Sequence, residues 1–294
     1  MTHELAKSAR AGARPLVDAL LPRDIARAAE HLGAAKAALD ATSLFVLAIL
    51  AGAFIALGAM FSTTVLAGGE GLPWGVARLL GGVAFSLGLV LVLVGGAELF
   101  TGNSLMVMAL AAGRISVGAL VRAWTIVYVG NAVGAVATAG FVLVSGHYTF
   151  GAGDVGYVAL ASARAKTELG FGQALVLGVL CNVMVCLAVW LSLGARHISG
   201  KVLVIVPPVT AFVAAGFEHS VANMYIMPLA IMIRDFAPAE FWSGIGATPA
   251  DFAAVTARAT IANLIPVTIG NVIGGAGLVG LVYWFVYLRP RSPG

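Results

Sequence analysis

The chain is organised as long uncharged blocks separated by short charged ones. The blocks run from Leu44 to Gly69, Leu79 to Ala97, Leu99 to Gly113, Ala123 to Ser145, Leu169 to Ala195, Val202 to Phe217, Ser220 to Ile233 and Ala259 to Leu288. Several match one membrane-spanning helix each. Two pairs do not. Leu79 to Gly113, interrupted only by Glu98, would make a straight helix of about 50 Å against a hydrocarbon core of about 30 Å, so something must break it. The same holds for Val202 to Ile233 around Glu218 and His219. Each is predicted to be two half-helices joined by an unwound segment, Glu98 to Thr101 in the first and Phe217 to His219 in the second. Counting each broken helix once gives six crossings, three per half. An odd number per repeat forces the second copy to insert upside down.

The breaks share a pattern, Gly-x-Glu-x-x-x-x-Asn: Gly96, Glu98 and Asn103, then Gly216, Glu218 and Asn223, 120 residues later. A second pair supports duplication, with Gly130, Asn131 and Gly134 echoed by Gly270, Asn271 and Gly274. Carboxylates at membrane depth are costly and need a function or a local partner. Non-helical backbone at that depth survives only where protein or a watery cavity covers it, and broken helices at matching places in two halves point to a permeation or binding site.

Composition agrees: 60% of the 294 residues are hydrophobic, 10% are charged, and the mean hydropathy is +0.99. This is an integral membrane protein, all-α by its helical blocks. The net charge of +4 sits mostly at block ends and reads as a topology signal rather than a nucleic-acid surface. Twelve Lys and Arg fall on one side of the six-span arrangement (Lys7, Arg10, Arg14, Arg23, Arg27, Lys36, Arg114, Arg122, Arg196, Lys201, Arg289, Arg291) and five on the other (Arg78, Arg164, Lys166, Arg234, Arg258). Both termini are therefore expected in the cytoplasm. Tyr283, Trp284 and Tyr287 fit an interfacial belt at the cytoplasmic end of the last helix.

Residues 1–42 form a charged N-terminal segment with no short apolar run ahead of them, so no cleaved signal peptide is expected. Within it, Pro15 to Leu39 carry Leu16, Leu20, Leu21, Ile25, Ala28, Ala29 and Leu32 at helical spacing, which predicts an amphipathic helix. Such a helix can pack on the membrane domain, lie on lipid, contact a neighbouring subunit or plug a pore. Residues 43–289 form the membrane domain and 290–294 a cytoplasmic tail. Cys181 and Cys186, five apart on one helix, face different sides and are expected to be packing residues without a disulfide between them.

The chemistry concentrates at the breaks. A half-helix that starts near the midplane directs its N–H groups and positive dipole end into the membrane centre, and two such ends suit an anion. Thr101 lies at one break and His219 at the other. An imidazole can change charge near neutral pH and a hydroxyl can donate or accept beside it, which fits a small, weakly basic anion. Glu98 and Glu218 are expected to hold the unwound backbone, and Asn103 and Asn223 to tie the half-helices. Asn131 and Asn271, in Gly-Asn-x-x-Gly settings, suit interhelical bonds. His147 and His197 lie at helix ends and His3 and His31 precede the membrane, so no metal or other cofactor is expected.

The blocks "AELFTGNS" (97–104), "CNVMVCLAVW" (181–190), "GFEHSVANMYIMP" (216–228), "IRDFAPAEFW" (233–242) and "NLIPVTIGNVIGG" (263–275) resemble the formate/nitrite transporter family. The later blocks are most similar to its bacterial formate channels, and the resemblance runs in order from about Leu44 to Leu288. It implies a homopentamer in the bacterial inner membrane, each protomer with its own pore in an aquaporin-like six-helix arrangement, although the aquaporin Asn-Pro-Ala signature is absent. It further implies that Thr101 and His219 meet in the pore centre, that Phe85 and Phe212 form one hydrophobic constriction, and that Leu89, Leu99, Phe100 and Val185 form the other. Asn182 and Asn271 match polar pore positions and Lys166 a basic residue of the outer vestibule.

One departure bears on substrate. The first break reads Glu98-Leu99-Phe100-Thr101-Gly102-Asn103, where formate channels carry Asp-Leu-Phe-Thr-Ser-Thr, and is closer to nitrite channels. Formate is the first expectation, with nitrite or hydrosulfide as alternatives. The expected mechanism is proton-linked passage of a small monovalent weak-acid anion past His219. A rival class is a membrane enzyme using His219 and Glu218 in acid/base chemistry; a neutral-solute pore is a third.

Overall fold

The structure, a computed structural model, describes residues 19–290, and every regular element among them is helical. In chain order they are α1 (Pro22–Ala37), α2 (Ala41–Leu66), α3 (Trp74–Gly95), α4 (Gly102–Ala111), α5 (Val117–Val144), α6 (Asp154–Thr167), α7 (Phe171–Gly194), α8 (Ile198–Ala214), α9 (Ser220–Phe236), α10 (Ala239–Gly244) and α11 (Ala257–Val272). The axis of α11 continues through a π-helical stretch, Ile273–Leu281, into Val282–Tyr287. α2, α3, α5, α7 and the helix ending at Tyr287 are long and apolar enough to cross a membrane; α4 and α8 are shorter apolar helices. Large apolar side chains such as Leu50, Val83, Phe141 and Leu203 stand exposed along these helices. With so much apolar surface outward, this is a multi-pass membrane protein.

Polar caps mark where three of the long helices begin. Asp40 Oδ1 accepts from Ser43 N at 2.9 Å, Ser116 Oγ from Ala119 N at 3.1 Å and Thr256 Oγ1 from Ala259 N at 3.1 Å. Hydrogen bonds from Ser43 hold the Asp40 carboxyl below its ordinary value. Both broken helices stop at a left-handed glycine, Gly96 at φ 78° and Gly216 at φ 74°, a conformation that costs a residue with a Cβ. The breaks fall where the sequence places them. The first halves differ in length, however: α3 has 22 residues, about 33 Å, and runs through Arg78, whose charge ends the uncharged block but not the helix.

Packing follows a matched scheme. α2 packs on α3 and α5 as α7 packs on α8 and α11, and α3 crosses α8. The second half-helices cross over: α9 lies against α5, and α4 against the π-helical stretch. Close approach relies on glycine. A methyl on Gly134 would overlap the Ile49 carbonyl, and one on Gly274 the Val179 carbonyl.

The amphipathic segment forms a helix over Pro22–Ala37; residues 15–18 of the expected Pro15 to Leu39 span lie outside the described residues, as do 1–14 and 291–294. α1 packs on its own chain, with Ile25, Ala26 and Ala29 clustered with Met108, Trp190, Tyr283, Trp284 and Tyr287. The residues of the expected aromatic belt are half-buried and pack on α1. Tyr283 lies on Trp190 with ring centroids 4.0 Å apart, so these rings serve the seat of α1. Cys181 and Cys186 are free and buried.

Candidate functional site

The backbone freed at each break is tied in the same way. At the first, Glu98 N donates to Leu47 O (3.2 Å), Phe100 N donates to Asn131 Oδ1 (2.8 Å), and Asn131 Nδ2 donates to Ala48 O (2.8 Å) and Glu98 O (2.9 Å). At the second, Glu218 N donates to Leu177 O (3.3 Å), Ser220 N to Asn271 Oδ1 (3.0 Å), and Asn271 Nδ2 to Gly178 O (2.8 Å) and Glu218 O (3.0 Å). Buried backbone groups in a membrane must be paired. Of the half-helix N–H groups expected to face an anion, those of Ser220 and Ala222 are therefore already taken, by Asn271 Oδ1 and His219 Nδ1. Asn131 and Asn271 are fully buried and occupied by these bonds.

Each glutamate sits in a buried polar cluster. Glu98 Oε2 accepts from Asn103 Nδ2 (2.7 Å) and Lys36 Nζ (3.0 Å), and Lys36 also reaches Asn103 Oδ1 (2.8 Å). Glu218 accepts from Lys166 Nζ (2.7 Å) on Oε1 and Asn223 Nδ2 (2.6 Å) on Oε2, and Asn223 Nδ2 also meets Asn263 Oδ1 (2.8 Å). Sequence reading missed Lys36 and Asn263 as members. One signal was present: Lys36 and Lys166 each precede by eleven residues the carbonyl, Leu47 or Leu177, that binds the glutamate N–H. Lys166 is also not a lone exposed charge. Its side chain is 14% exposed and locked to Glu218.

Between the breaks, Thr101 Oγ1 and His219 Nε2 lie 3.0 Å apart, with Thr101 fully buried and His219 3% exposed. His219 Nδ1 accepts from Ala222 N (3.0 Å) as the cap of α9. That bond requires Nδ1 to carry no proton, so the ring proton of the neutral imidazole sits on Nε2 and donates to Thr101 Oγ1. The hydroxyl proton of Thr101 is then available to another acceptor. Below it, the Thr101 carbonyl accepts from Asn182 Nδ2 (3.2 Å) and Cys186 Sγ (3.4 Å). Asn182 Nδ2 also bonds Ser104 Oγ (3.1 Å) and Asn271 O (2.6 Å), two residues before the π-helical stretch.

Two cavities approach this pair from opposite ends of the bundle. One, about 280 Å³ on the face carrying α6, is lined by Phe85, Phe212, His219, Arg78, Lys166 and Glu218 among others. The other, about 350 Å³ on the face carrying α1, is lined by Leu89, Leu99, Lys36, Glu98, Asn103 and Lys201 among others. The Phe85 and Phe212 rings meet edge to face at 5.7 Å, and Phe212 stacks on His219 at 6.0 Å. Of the residues that the resemblance assigns to constrictions, Phe85 and Phe212 thus stand at one cavity and Leu89 and Leu99 at the other. Phe100 and Val185 line neither. Phe100 turns its ring to Tyr128 (4.9 Å) and Trp124 (6.1 Å), and Val185 is buried in the core. Asn182 and Asn271, the polar pore positions, are also fully buried and line neither cavity.

Comparison with known proteins identifies the family. The family model described as formate/nitrite transporter matches residues 23–285. The chain is 48% identical over 276 residues to the formate channel FocA of Escherichia coli (strain K12), covering 94% of this chain and 97% of that one. It is 40% identical to the formate channel FocA of Haemophilus influenzae, covering 90% and 93%. A solved structure described as a pentameric formate channel with formate bound superposes with a TM-score of 0.81 at 45% identity, covering 85% of this chain and 98% of that one. The chain belongs to the formate/nitrite transporter family.

Proposed function

We propose that the protein is a channel for small monovalent weak-acid anions, with formate the first substrate, nitrite and hydrosulfide next. The observation that carries this is the Thr101–His219 contact, a hydroxyl and an imidazole held 3.0 Å apart between two cavities. Support comes also from relatives named as formate channels and from a solved relative described with formate bound.

In this reading the six spans form two inverted three-helix repeats, with α3–α4 and α8–α9 as the broken helices. The α1 face and both termini are cytoplasmic, residues 43–289 form the channel domain, and five protomers assemble in a bacterial inner membrane. The anion enters from either cavity and reaches the aromatic pair Phe85 and Phe212 or the leucines Leu89 and Leu99. A bare charge is penalised there because apolar side chains cannot replace its hydration. At the centre the anion meets the Nε2–H of His219 and the hydroxyl of Thr101; a proton supplied by water of the entry cavity and passed on through His219, which ends the step neutral as it began, lets it cross as the neutral acid. Transport is then proton-linked.

Purified protein in proteoliposomes, challenged with formate, nitrite, hydrosulfide, acetate and glycerol, tests the proposal. Fast, pH-dependent formate flux with little glycerol flux is expected. Equal permeation of glycerol would contradict it.

A further inference from the structure

We infer that Arg78 and Lys201, rather than the lysines bonded to glutamate, give the two cavities their net positive charge and govern how fast anions enter. The inference rests on the channel reading above and adds to it the residues that select for charge.

The charged groups lining the cavity on the α6 face are Arg78, Lys166 and Glu218. Lys166 and Glu218 form an ion pair at 2.7 Å and cancel at the distance of an approaching anion. Arg78 remains. No carboxylate pairs with it among the described residues; its guanidinium donates instead to the backbone, Nη2 to Val213 O at 2.6 Å and Nε to Ala214 O at 3.2 Å. Those carbonyls end α8, where the helix presents its partial negative charge beside the cavity. Arg78 covers the end that would repel an anion and supplies a full positive charge, which a guanidinium keeps at any physiological pH.

The opposite cavity repeats the arithmetic. Its charged lining is Lys36, Glu98 and Lys201. Lys36 and Glu98 pair at 3.0 Å, leaving Lys201, half-buried in the first turn of α8 and without an ion-pair partner among the described residues. Neither charge is paired with a carboxylate among the described residues, and the two lie on corresponding helices. Arg78 lies near the start of α3 and Lys201 near the start of α8, the first halves of the two broken helices. A single net charge beside a cleft with low-dielectric walls is focused into it, and the effect weakens as salt screens it.

The test compares formate uptake into proteoliposomes at low and high ionic strength for wild type, Arg78→Gln, Arg78→Lys and Lys201→Gln, each first checked for its oligomer by size exclusion. Glutamine retains a donor for the α8 carbonyls but not the charge. Arg78→Gln and Lys201→Gln are expected to slow uptake roughly three- to tenfold at low salt, each for entry from its own face, and to flatten the salt dependence. Arg78→Lys is expected to restore both. Wild-type flux with an unchanged rate and salt slope in both glutamine variants would overturn the inference alone, as would Arg78→Lys losing as much as Arg78→Gln, since Arg78 would then be only a cap. Wild-type protein that passes no anion would overturn the channel reading and this inference with it.

Discussion

Asn131 and Asn271 stand in different halves of the chain and make the same three bonds, one accepted from a backbone N–H two residues after a buried glutamate and two donated, to that glutamate's own carbonyl and to a carbonyl of a neighbouring helix, Ala48 in α2 or Gly178 in α7. Each side chain stands in for the helical bonds that its break removes. Replacing either by Ala leaves several buried backbone groups unpaired. A loss of about 2–4 kcal/mol is expected, seen as a lower thermal unfolding midpoint of the oligomer in detergent. An unchanged midpoint would mean that water or a shifted backbone substitutes for the amide.

Lys166 and Glu218 are held at 2.7 Å with both side chains largely buried. Breaking a buried pair by removing one member strands the other charge, whereas removing both can be nearly neutral. Glu218→Gln or Lys166→Met alone is expected to destabilise by about 3 kcal/mol, and the double variant to recover more than half of that. Thermal unfolding of the four proteins gives the coupling. Strict additivity of the single losses would show that the two charges do not depend on one another.

The positions of the breaks were legible because an apolar run longer than the membrane must bend and because Gly96 and Gly216 stand where a helix can end left-handed. The partners of Glu98 and Glu218 were not. Lys36 lies 62 residues before Glu98 and Lys166 lies 52 before Glu218, so only their matched spacing before Leu47 and Leu177 could have marked them, and they read as a topology signal and a vestibule charge. Asn131 and Asn271 were legible as interhelical bonds, but not as the groups that occupy the N–H donors at the breaks. The seat of α1 was hidden for a different reason. Tyr283, Trp284 and Tyr287 have the composition of a lipid-interface belt, and only packing shows them against Trp190 and α1. Phe100, which the resemblance assigns to a constriction, turns its ring to Trp124 and Tyr128, contacts that composition cannot reveal.

Topology is open to direct labelling, and the two native cysteines are buried, so background reaction is expected to be low. Single cysteines placed at Gly113 should react from the cytoplasmic side, and those at Leu72 or Thr149 from the other. Labelling of Gly113 from outside would make the chain around Glu98 a hairpin of two spans and would remove the inverted repeat.

Proton-linked passage at His219 is tested most directly by the pH dependence of formate flux. His219→Asn in purified, oligomeric form removes the imidazole while keeping a polar side chain at the cap of α9, and Thr101→Val removes only the facing hydroxyl. Formate flux in proteoliposomes is measured between about pH 5 and 8, the range over which an imidazole ordinarily changes charge. The expected result is a wild-type flux that varies with pH, a His219→Asn curve of different shape, and a Thr101→Val curve lowered but similar in shape. A His219→Asn protein that reproduces the wild-type pH–flux curve would contradict the role of the histidine in proton transfer and leave it a structural cap.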